Sequence, residues 1–329
     1  MLIVLAGIAG MAFGLLSCSP RSYAGPTEPV TVAYSPYLET AFYWIAEDQH
    51  YFIRNGLDVT FRGYDSLVPA VDDMLRGGVD IVGNATEFPL ASRALQKARI
   101  STISSVARSQ TISLIGRKDR GIEQVSDLKG KRVGSIFSTI TDFYLGRLLE
   151  LNGMNTKDIT SVDVKSAAGA ATAIVNGDVD AVVVGQPYAN SAREQLGANA
   201  FFESAQSGES LYALALSTND WIASHPQLVT RFLESLSEAE DFFRRHPAEA
   251  KAIIRKRLNL DQISLDAVWT QYNFSLSLDQ PLILAMEDEA RWAIGNGLTD
   301  EKTVPNFLNY IYTDALKAVK PEGVMISGK

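Results

Sequence analysis

The chain contains an internal repeat, and this repeat limits the folds it can adopt more than any other feature does. The segment "MLRGGVDIVGNATEF" (74–88) has the same order of residue types as "IVNGDVDAVVVGQPYA" (174–189). In both, a glycine precedes Val-Asp, an apolar run and a polar loop, so that Asp80 corresponds to Asp180. Turn hydrogen bonds after the glycine account for these aspartates better than a functional role does. The repeat predicts two halves with one plan.

Each half alternates predicted strands and helices in the order strand–helix–strand–helix–strand. In the first half the strands are "VTVAY" (30–34), "LDVTFRGY" (57–64) and "VDIVGN" (79–84). In the second half they are "KRVGSI" (131–136), "SVDVKSA" (161–167) and "VDAVVVG" (179–185). This alternation predicts an α/β fold with parallel strands and helices on both sheet faces. We favour two mostly parallel sheets over one larger doubly wound sheet, because the pattern restarts after a polar stretch at 116–131.

The remainder of the chain completes the first half. The segment 212–222 resembles a strand that returns to the first sheet, and 225–246 predicts a long amphipathic helix. We therefore predict a discontinuous lobe 1 (30–115 and 211–329), a lobe 2 (116–210) and two chain crossings between them.

The N-terminus resembles an export signal. Residues 1–17 carry no charged side chain, which predicts a signal peptide. The segment 15–18, "LLSC", resembles a bacterial lipobox and predicts lipidation at Cys18, followed by a lipid-anchored linker to residue 29. Cleavage after "SYA" (22–24) and a retained membrane helix are the alternatives.

Composition excludes several classes of function. The net charge of −8, without a basic run, disfavours a nucleic-acid partner. A single cysteine allows no intramolecular disulfide and no multi-cysteine metal site. His50, His225 and His246 are scattered, and neither HExxH, GxSxG nor a P-loop occurs. We therefore predict no enzymatic activity, no catalytic residue, no cofactor and no metal.

Ligands of open parallel sheets bind beyond the carboxyl ends of the strands, where each half places polar loops. Four loops should converge on one cleft: "SPYLET" (35–40), "NATEF" (84–88), "FSTITD" (137–142) and "QPYAN" (186–190). The candidate ligand-binding residues are Ser35, Tyr37, Thr40, Asn84, Thr86, Glu87, Ser138, Thr139, Thr141, Asp142, Gln186 and Tyr188. Helix capping by the hydroxyl groups and helix-dipole compensation by the carboxylates are the competing interpretations.

The order and spacing of "WIAEDQHYFIRNGLDV", "LRGGVDI", "VSDLKGKRVGS" and "AIVNGDVDAVVVGQP" resemble the solute-binding proteins of ABC importers. The branch is the one that binds nitrate, sulfonates, taurine and thiamine pyrimidines. The resemblance implies a two-lobed type II periplasmic-binding-protein fold. It also implies a monomeric receptor, periplasmic or on the outer cell surface and lipid-anchored, that binds a small solute and docks on a permease with its ATPase. A sensory module of the same fold is the alternative.

The residue types in the four loops favour an organic solute over a bare inorganic anion. Helix N-termini at the cleft favour an anion. The loops nevertheless contain no Lys or Arg and do contain Glu39, Glu87 and Asp142, and Arg108 is the candidate that would offset these carboxylates. The aromatic candidates for stacking on a ring are Tyr37, Phe42, Phe88, Tyr144 and Tyr188.

Overall fold

The structure is a computed structural model that describes residues 23–327, whose strands form a 7-stranded and a 5-stranded sheet. The strands are β1 (Glu28–Tyr34), β2 (Leu57–Gly63), β3 (Ile81–Thr86), β4 (Ile100–Ser109), β5 (Ile112–Arg117), β6 (Arg132–Ser135), β7 (Thr160–Asp163), β8 (Ala181–Gly185), β9 (Ala200–Ser204), β10 (Leu211–Thr218), β11 (Tyr272–Asp279) and β12 (Val324–Met325). The α-helices are α1 (Ala41–Asp48), α2 (Tyr51–Arg54), α3 (Leu67–Leu75), α4 (Glu87–Leu95), α5 (Ile140–Leu151), α6 (Ala167–Asn176), α7 (Tyr188–Leu196), α8 (Asn219–Ser224), α9 (Pro226–Arg245), α10 (Pro247–Arg257), α11 (Gln262–Trp269), α12 (Gln280–Gly295) and α13 (Asp314–Val319).

The two sheets repeat one arrangement, as the sequence predicts. The larger sheet has the order β12-β11-β4-β10-β3-β1-β2, and the smaller has the order β7-β6-β8-β5-β9. In the larger sheet β1 lies between its parallel neighbours β2 and β3, and in the smaller sheet β6 lies between β7 and β8 in the same way. The prediction of two sheets is therefore confirmed, and so is the return of β10 to the first sheet.

The sheets contain more antiparallel pairing than the sequence suggests. Five strand pairs are parallel and five are antiparallel among the described residues. The antiparallel pairs all involve β5 or β10, or join β11 to β4. Of β4, β5, β10 and β11, the sequence predicts only β10. The antiparallel pairs among the other three strands and their neighbours are not predicted.

The chain crosses between the sheets twice, at residues 110–111 and 205–210. The predicted lobe boundary at 115/116 falls inside β5, which pairs with β8 and β9 of the smaller sheet. Gln206 holds the two crossings together: its Oε1 accepts from Ile112 N at 2.8 Å, and its Nε2 donates to Ser109 O at 3.0 Å. The lobe limits remain a prediction, with the first crossing a few residues earlier.

The apolar run of β8 is buried on both of its faces. Val182 and Val184 pack into a small cluster with helices α6 and α7, whereas Ala181 and Val183 belong to the main core. Successive side chains of a strand point to opposite faces, so a strand covered on both sides needs apolar residues throughout. This explains why the run shows no polar alternation.

The repeated aspartates make equivalent hydrogen bonds in the two sheets. Asp80 Oδ2 accepts from Thr31 N at 2.7 Å, and Asp180 Oδ2 accepts from Arg132 N at 2.9 Å. The backbone N of each aspartate also donates to the carbonyl O of the same residue: Asp80 N to Thr31 O at 3.0 Å, and Asp180 N to Arg132 O at 2.8 Å. Both residues lie at the amino ends of β3 and β8. Both aspartates therefore join neighbouring strands, whereas the sequence analysis predicts that they close the turn after the glycine.

We expect Asp180→Ala to lower the free energy of unfolding by roughly 1–3 kcal/mol, because the change leaves the backbone N–H of Arg132 without its carboxylate acceptor. Arg132 Nη2 also loses its 2.8 Å contact with the Asp180 carboxylate. Hydrogen bonds from Arg132 lower the pKa of Asp180, so its contribution is present at neutral pH and is lost as pH falls. Urea unfolding at pH 7 and pH 3 measures both effects. Asp178→Ala, at an exposed neighbour, is the control, and equal destabilisation by the two variants would contradict this role.

The predicted signal peptide (1–17) and lipidation site (Cys18) lie outside the described residues. Of the predicted linker, residues 28–29 belong to β1 instead. Tyr23 N donates to Arg54 O at 3.0 Å, and the Arg231 guanidinium lies 4.3 Å from the Tyr23 ring centroid. The linker prediction is therefore wrong for its last two residues, and Tyr23 already contacts lobe 1.

Candidate functional site

A cleft of about 260 Å³ lies between the two sheets, at the carboxyl ends of β1, β3, β6 and β8. All four predicted loops contribute to its wall, and the residues next to the two chain crossings complete it. The lining residues of the loops are Ser35, Tyr37, Glu39, Asn84, Thr86, Thr139, Thr141 and Gln186. The loops that the repeat places at equivalent positions thus meet across one hollow.

In lobe 1, four predicted site residues line the cleft and two do not. Ser35 and Asn84 bind each other: Ser35 N donates to Asn84 Oδ1, and Asn84 Nδ2 donates to Ser35 O, both at 3.0 Å. These bonds tie the ends of β1 and β3 together beneath the cleft. Tyr37 and Thr86 also line it, and the Thr86 hydroxyl makes no helix-capping bond.

The structure does not bring Thr40 and Glu87 to the cleft. Thr40 is fully buried, and its hydroxyl donates to Tyr37 O at 2.6 Å, so it stabilises its own turn. Glu87 is the first residue of α4, and its carboxylate points inward, where Oε2 accepts from Tyr212 N at 3.1 Å. In this structure both side chains bond within lobe 1, and neither lies in the cleft wall.

In lobe 2, Thr139, Thr141 and Gln186 line the cleft, whereas Ser138, Asp142 and Tyr188 do not. Asp142 instead closes its own loop: Oδ1 accepts from Ser135 Oγ at 2.9 Å, and Oδ2 accepts from Ser138 N at 3.1 Å. Burial raises the pKa of Asp142. The carboxylate therefore occupies the N-terminal end of α5 that would otherwise attract an anion.

Among the other aromatic candidates, Phe42, Phe88 and Tyr144 are core residues. Phe42 packs against Phe243 and Phe274, and Phe88 packs against Phe143 and Trp292. Tyr144 is buried within α5. Tyr188 does not line the cleft, but it lies near Tyr37, which does, and it contributes to the raised pKa of Tyr37.

Several cleft residues come from segments that the sequence analysis did not connect to the site. Tyr212 is the second residue of β10, next to the second crossing, and Tyr272 is the first residue of β11. Asp65 and Lys165 lie in the loops that follow β2 and β7. Only the last two could have been found, because loops after parallel strands are expected at this edge. The two tyrosines carry no local signal, since antiparallel strands deliver them.

The cleft is poor in uncompensated positive charge. Lys165 Nζ is paired with Asp163 Oδ2 at 2.5 Å. Arg108 lies outside the cleft wall and contacts Asp279 at 3.3 Å, so it does not offset the loop carboxylates. Burial raises the pKa of Glu39 to about 7. Burial also raises the pKa of Tyr37 to about 12, and the nearby Tyr188, Glu39 and Asp65 add to that rise.

The described residues contain no group of three or more His, Cys, Asp or Glu side chains arranged to hold a metal ion. Within residues 23–327, every helix is too short or too polar to cross a bilayer.

The family model described as "NMT1/THI5 like" matches residues 38–250, nearly two thirds of the chain. The chain belongs to the NMT1/THI5-like family. A protein of Brucella abortus (strain 2308), named as a candidate binding protein, is 26% identical over 245 residues, which are 72% of this chain and 74% of that protein. A 4-amino-5-hydroxymethyl-2-methylpyrimidine phosphate synthase of Aspergillus parasiticus is 24% identical over 221 residues, which are 63% of this chain and 64% of the synthase.

Solved structures share the fold of this family member. The periplasmic aliphatic sulphonate binding protein SsuA from Escherichia coli matches with a TM-score of 0.72 at 16% identity, over 87% of this chain and 97% of SsuA. The periplasmic nitrate-binding protein NrtA from Synechocystis PCC 6803 matches with a TM-score of 0.68 at 15% identity, over 90% of this chain and 89% of NrtA. The predicted two-lobed periplasmic-binding-protein fold is thereby confirmed.

Proposed function

We propose that this protein is the extracytoplasmic solute-binding receptor of an ABC importer. It takes a small organic solute into the cleft between its two lobes and delivers it to a membrane permease that works with an ATPase. The observation that carries this proposal is the cleft itself, whose wall is built from equivalent loops of both sheets and from the two crossings that join them. Two lobes joined by two crossings can close around a solute by a hinge motion.

Binding without turnover is the simplest chemistry for this cleft. His50, His225 and His246 are all absent from its wall, and its hydroxyl groups at Thr139 and Thr141 bond to their own loop. A serine or threonine nucleophile needs a base within hydrogen-bond reach, and among the described residues no Ser or Thr hydroxyl of the cleft wall bonds to a carboxylate or an imidazole. The synthase relative leaves an enzymatic function as the alternative that activity assays would test.

The location follows from the same proposal. In this proposal the receptor is a monomer. Lipidation at Cys18 would hold it at a membrane surface, with the folded lobes in the periplasm or outside the cell. The relatives SsuA and NrtA are named as periplasmic binding proteins. Neighbouring genes for a permease and an ATPase would support transport, whereas a neighbouring sensor kinase would support a sensory module.

Thermal unfolding of the purified protein in the presence of candidate solutes tests the proposal. The panel contains sulfonates, nitrate, pyrimidines, flavins, aromatic acids and a concentrated extract of growth medium. A solute at 100 times its Kd should raise Tm by roughly 4 °C, because it binds the native state alone. If neither a compound nor the extract raises Tm, the receptor function is contradicted.

A further inference from the structure

We propose that the solute is a small organic cation of the amine or amidine type, and that Glu39 is the residue that selects it. This inference rests on the proposed receptor function and narrows it to one chemical class. It separates this cleft from those of its structural neighbours that are named for sulfonate and nitrate, because those two solutes are anions.

Glu39 presents an unused acceptor at the cleft. Its side chain lines the wall, and its Oε2 atom is shielded from solvent without a hydrogen-bond partner among residues 23–327. The residue lies in the short turn Leu38–Thr40, which the Thr40 hydroxyl fixes by its bond to Tyr37 O. A buried polar atom without a partner is costly, and a solute that donates an N–H group to Glu39 would remove that cost.

Cations of the protein do not satisfy this carboxylate. Lys165 reaches the same cleft but is held by Asp163. Arg108 is held by Asp279 and stacks near the Tyr212 ring, at 5.9 Å from its centroid. Asp65 adds a further carboxylate to the wall. Inside a cleft with reduced access of water, these groups favour a positive guest and oppose a negative one.

The rest of the wall suits an apolar or aromatic body attached to that cation. Tyr37, Tyr212 and Tyr272 present aromatic rings, which attract cations through their faces. The aliphatic lining consists of Leu67, Val68, Pro89, Ile112, Ile136 and Ile140. A volume of about 260 Å³ accommodates one small ring with its substituent.

The first turn of α5 carries a carboxylate of its own, Asp142, which lies outside the cleft wall. In folds of this kind the N-terminus of a helix facing the cleft is the ready-made anion site. At α5, the Asp142 carboxylate accepts from the Ser138 N–H and the Ser135 hydroxyl. Asp142 does not contact the cleft, but its charge in the first turn of α5 weakens the attraction of this helix end for an anion.

Binding of a cation should be linked to the protonation of Glu39. Burial raises the pKa of Glu39 to about 7, so the carboxylate is mostly protonated at pH 6 and mostly ionised at pH 8. The titratable groups nearest to Glu39 are Tyr37 and Tyr272. Asp65 and Tyr188 lie near Tyr37, and Lys165 belongs to the cleft wall contributed by the smaller sheet. A permanently charged probe should therefore bind about tenfold more tightly at pH 8 than at pH 6.

A series of benzene derivatives that differ only in the polar group tests the inference. Benzamidine and benzylamine are the cations, benzyl alcohol is the neutral analogue, and benzenesulfonate and benzoate are the anions. Calorimetric titration at pH 6 and pH 8 should show binding of the cations alone. Glu39→Gln should weaken benzamidine binding roughly 10- to 100-fold and abolish its pH dependence. Asp48→Asn removes one carboxylate from an exposed position outside the cleft and should change neither.

Three results would overturn the inference while leaving the receptor function standing. In the first, an anionic member of the series binds as tightly as the cations. In the second, Glu39→Gln binds benzamidine as the wild type does. In the third, none of the cations binds although growth-medium extract still raises Tm. Failure of the extract as well would remove the receptor function itself.

Discussion

We expect Ala167→Trp to reduce solute binding at least about 100-fold while the protein still folds. Ala167 is the first residue of α6, is half-buried and lies in the wall of the cleft. An indole ring in this position would occupy space that the solute needs. Ala167 also packs against the small core cluster beside β8, so urea unfolding of the variant checks that it folds.

The neighbouring residue supplies a matched control. Ala168 belongs to the same helix, is exposed and lies outside the cleft wall. Ala168→Trp introduces the same side chain and should retain wild-type affinity. Titration of both variants with the compound that most raises Tm of the wild type measures the difference. Equal affinity of the two variants would show that the solute binds elsewhere.

We expect the protein to lose several kcal/mol of stability between pH 5 and pH 9 because of two buried carboxyl groups behind the cleft. Glu87 of α4 and Glu289 of α12 are each 1% exposed, and each has one oxygen without a hydrogen-bond partner among the described residues. Burial raises the pKa of Glu87 to about 8. Burial, and then the charge of Glu87, raises the pKa of Glu289 well above its usual value.

The sign follows from the direction of these pKa shifts. A carboxyl group with a raised pKa in the folded state retains its proton there at pH values where the unfolded chain has released it. Its stabilising contribution is therefore complete below about pH 4.5 and is lost as pH rises through about 8. The other titratable groups at this cluster are Glu209, Asp288, Tyr144 and Arg147, and burial raises the pKa of Glu209 as well.

The double variant Glu87→Gln/Glu289→Gln should flatten the decline, because an amide keeps the shape of the protonated acid and cannot ionise. Urea unfolding at pH 5, 7 and 9 measures the effect, and the variant should be more stable than the wild type at pH 9. Glu194→Gln, at an exposed position of α7, should leave the profile unchanged. A double variant that is as pH-sensitive as the wild type would contradict this assignment.

The sequence predicts the repeated strands but, apart from β10, misses the antiparallel ones for a physical reason. In β4, "ISTISSVARS", the buried positions include Ser101, Ser104 and Ser105, so burial does not appear as an apolar pattern. The sequence of residues 41–55 is typical of a single helix, but it forms two helices in the structure, because His50 adopts a left-handed conformation with φ of 59°. Such local breaks depend on packing against the rest of the fold and leave no mark in hydrophobic periodicity.

The four cleft loops follow from topology, but the direction of each side chain does not. Glu39 and Glu87 both occupy the beginning of a helical segment after a strand, yet one lines the cleft and the other is enclosed. The two side chains point in different directions because the backbone N–H of Tyr212 donates a hydrogen bond to the Glu87 carboxylate. Since β10 returns from more than a hundred residues away, no local pattern could separate the two glutamates.

Hydrogen–deuterium exchange, with and without the solute that most raises Tm, tests the central claim most directly. If the two lobes close on a solute, backbone amides of both halves should be protected together: those around 84–89 in lobe 1, and those around 136–141 and 165–167 in lobe 2. The amino ends of β3 and β8, on the opposite side of the sheets, should be unchanged. Protection confined to one lobe, or centred away from the cleft, would contradict a receptor that holds its solute between two repeated halves.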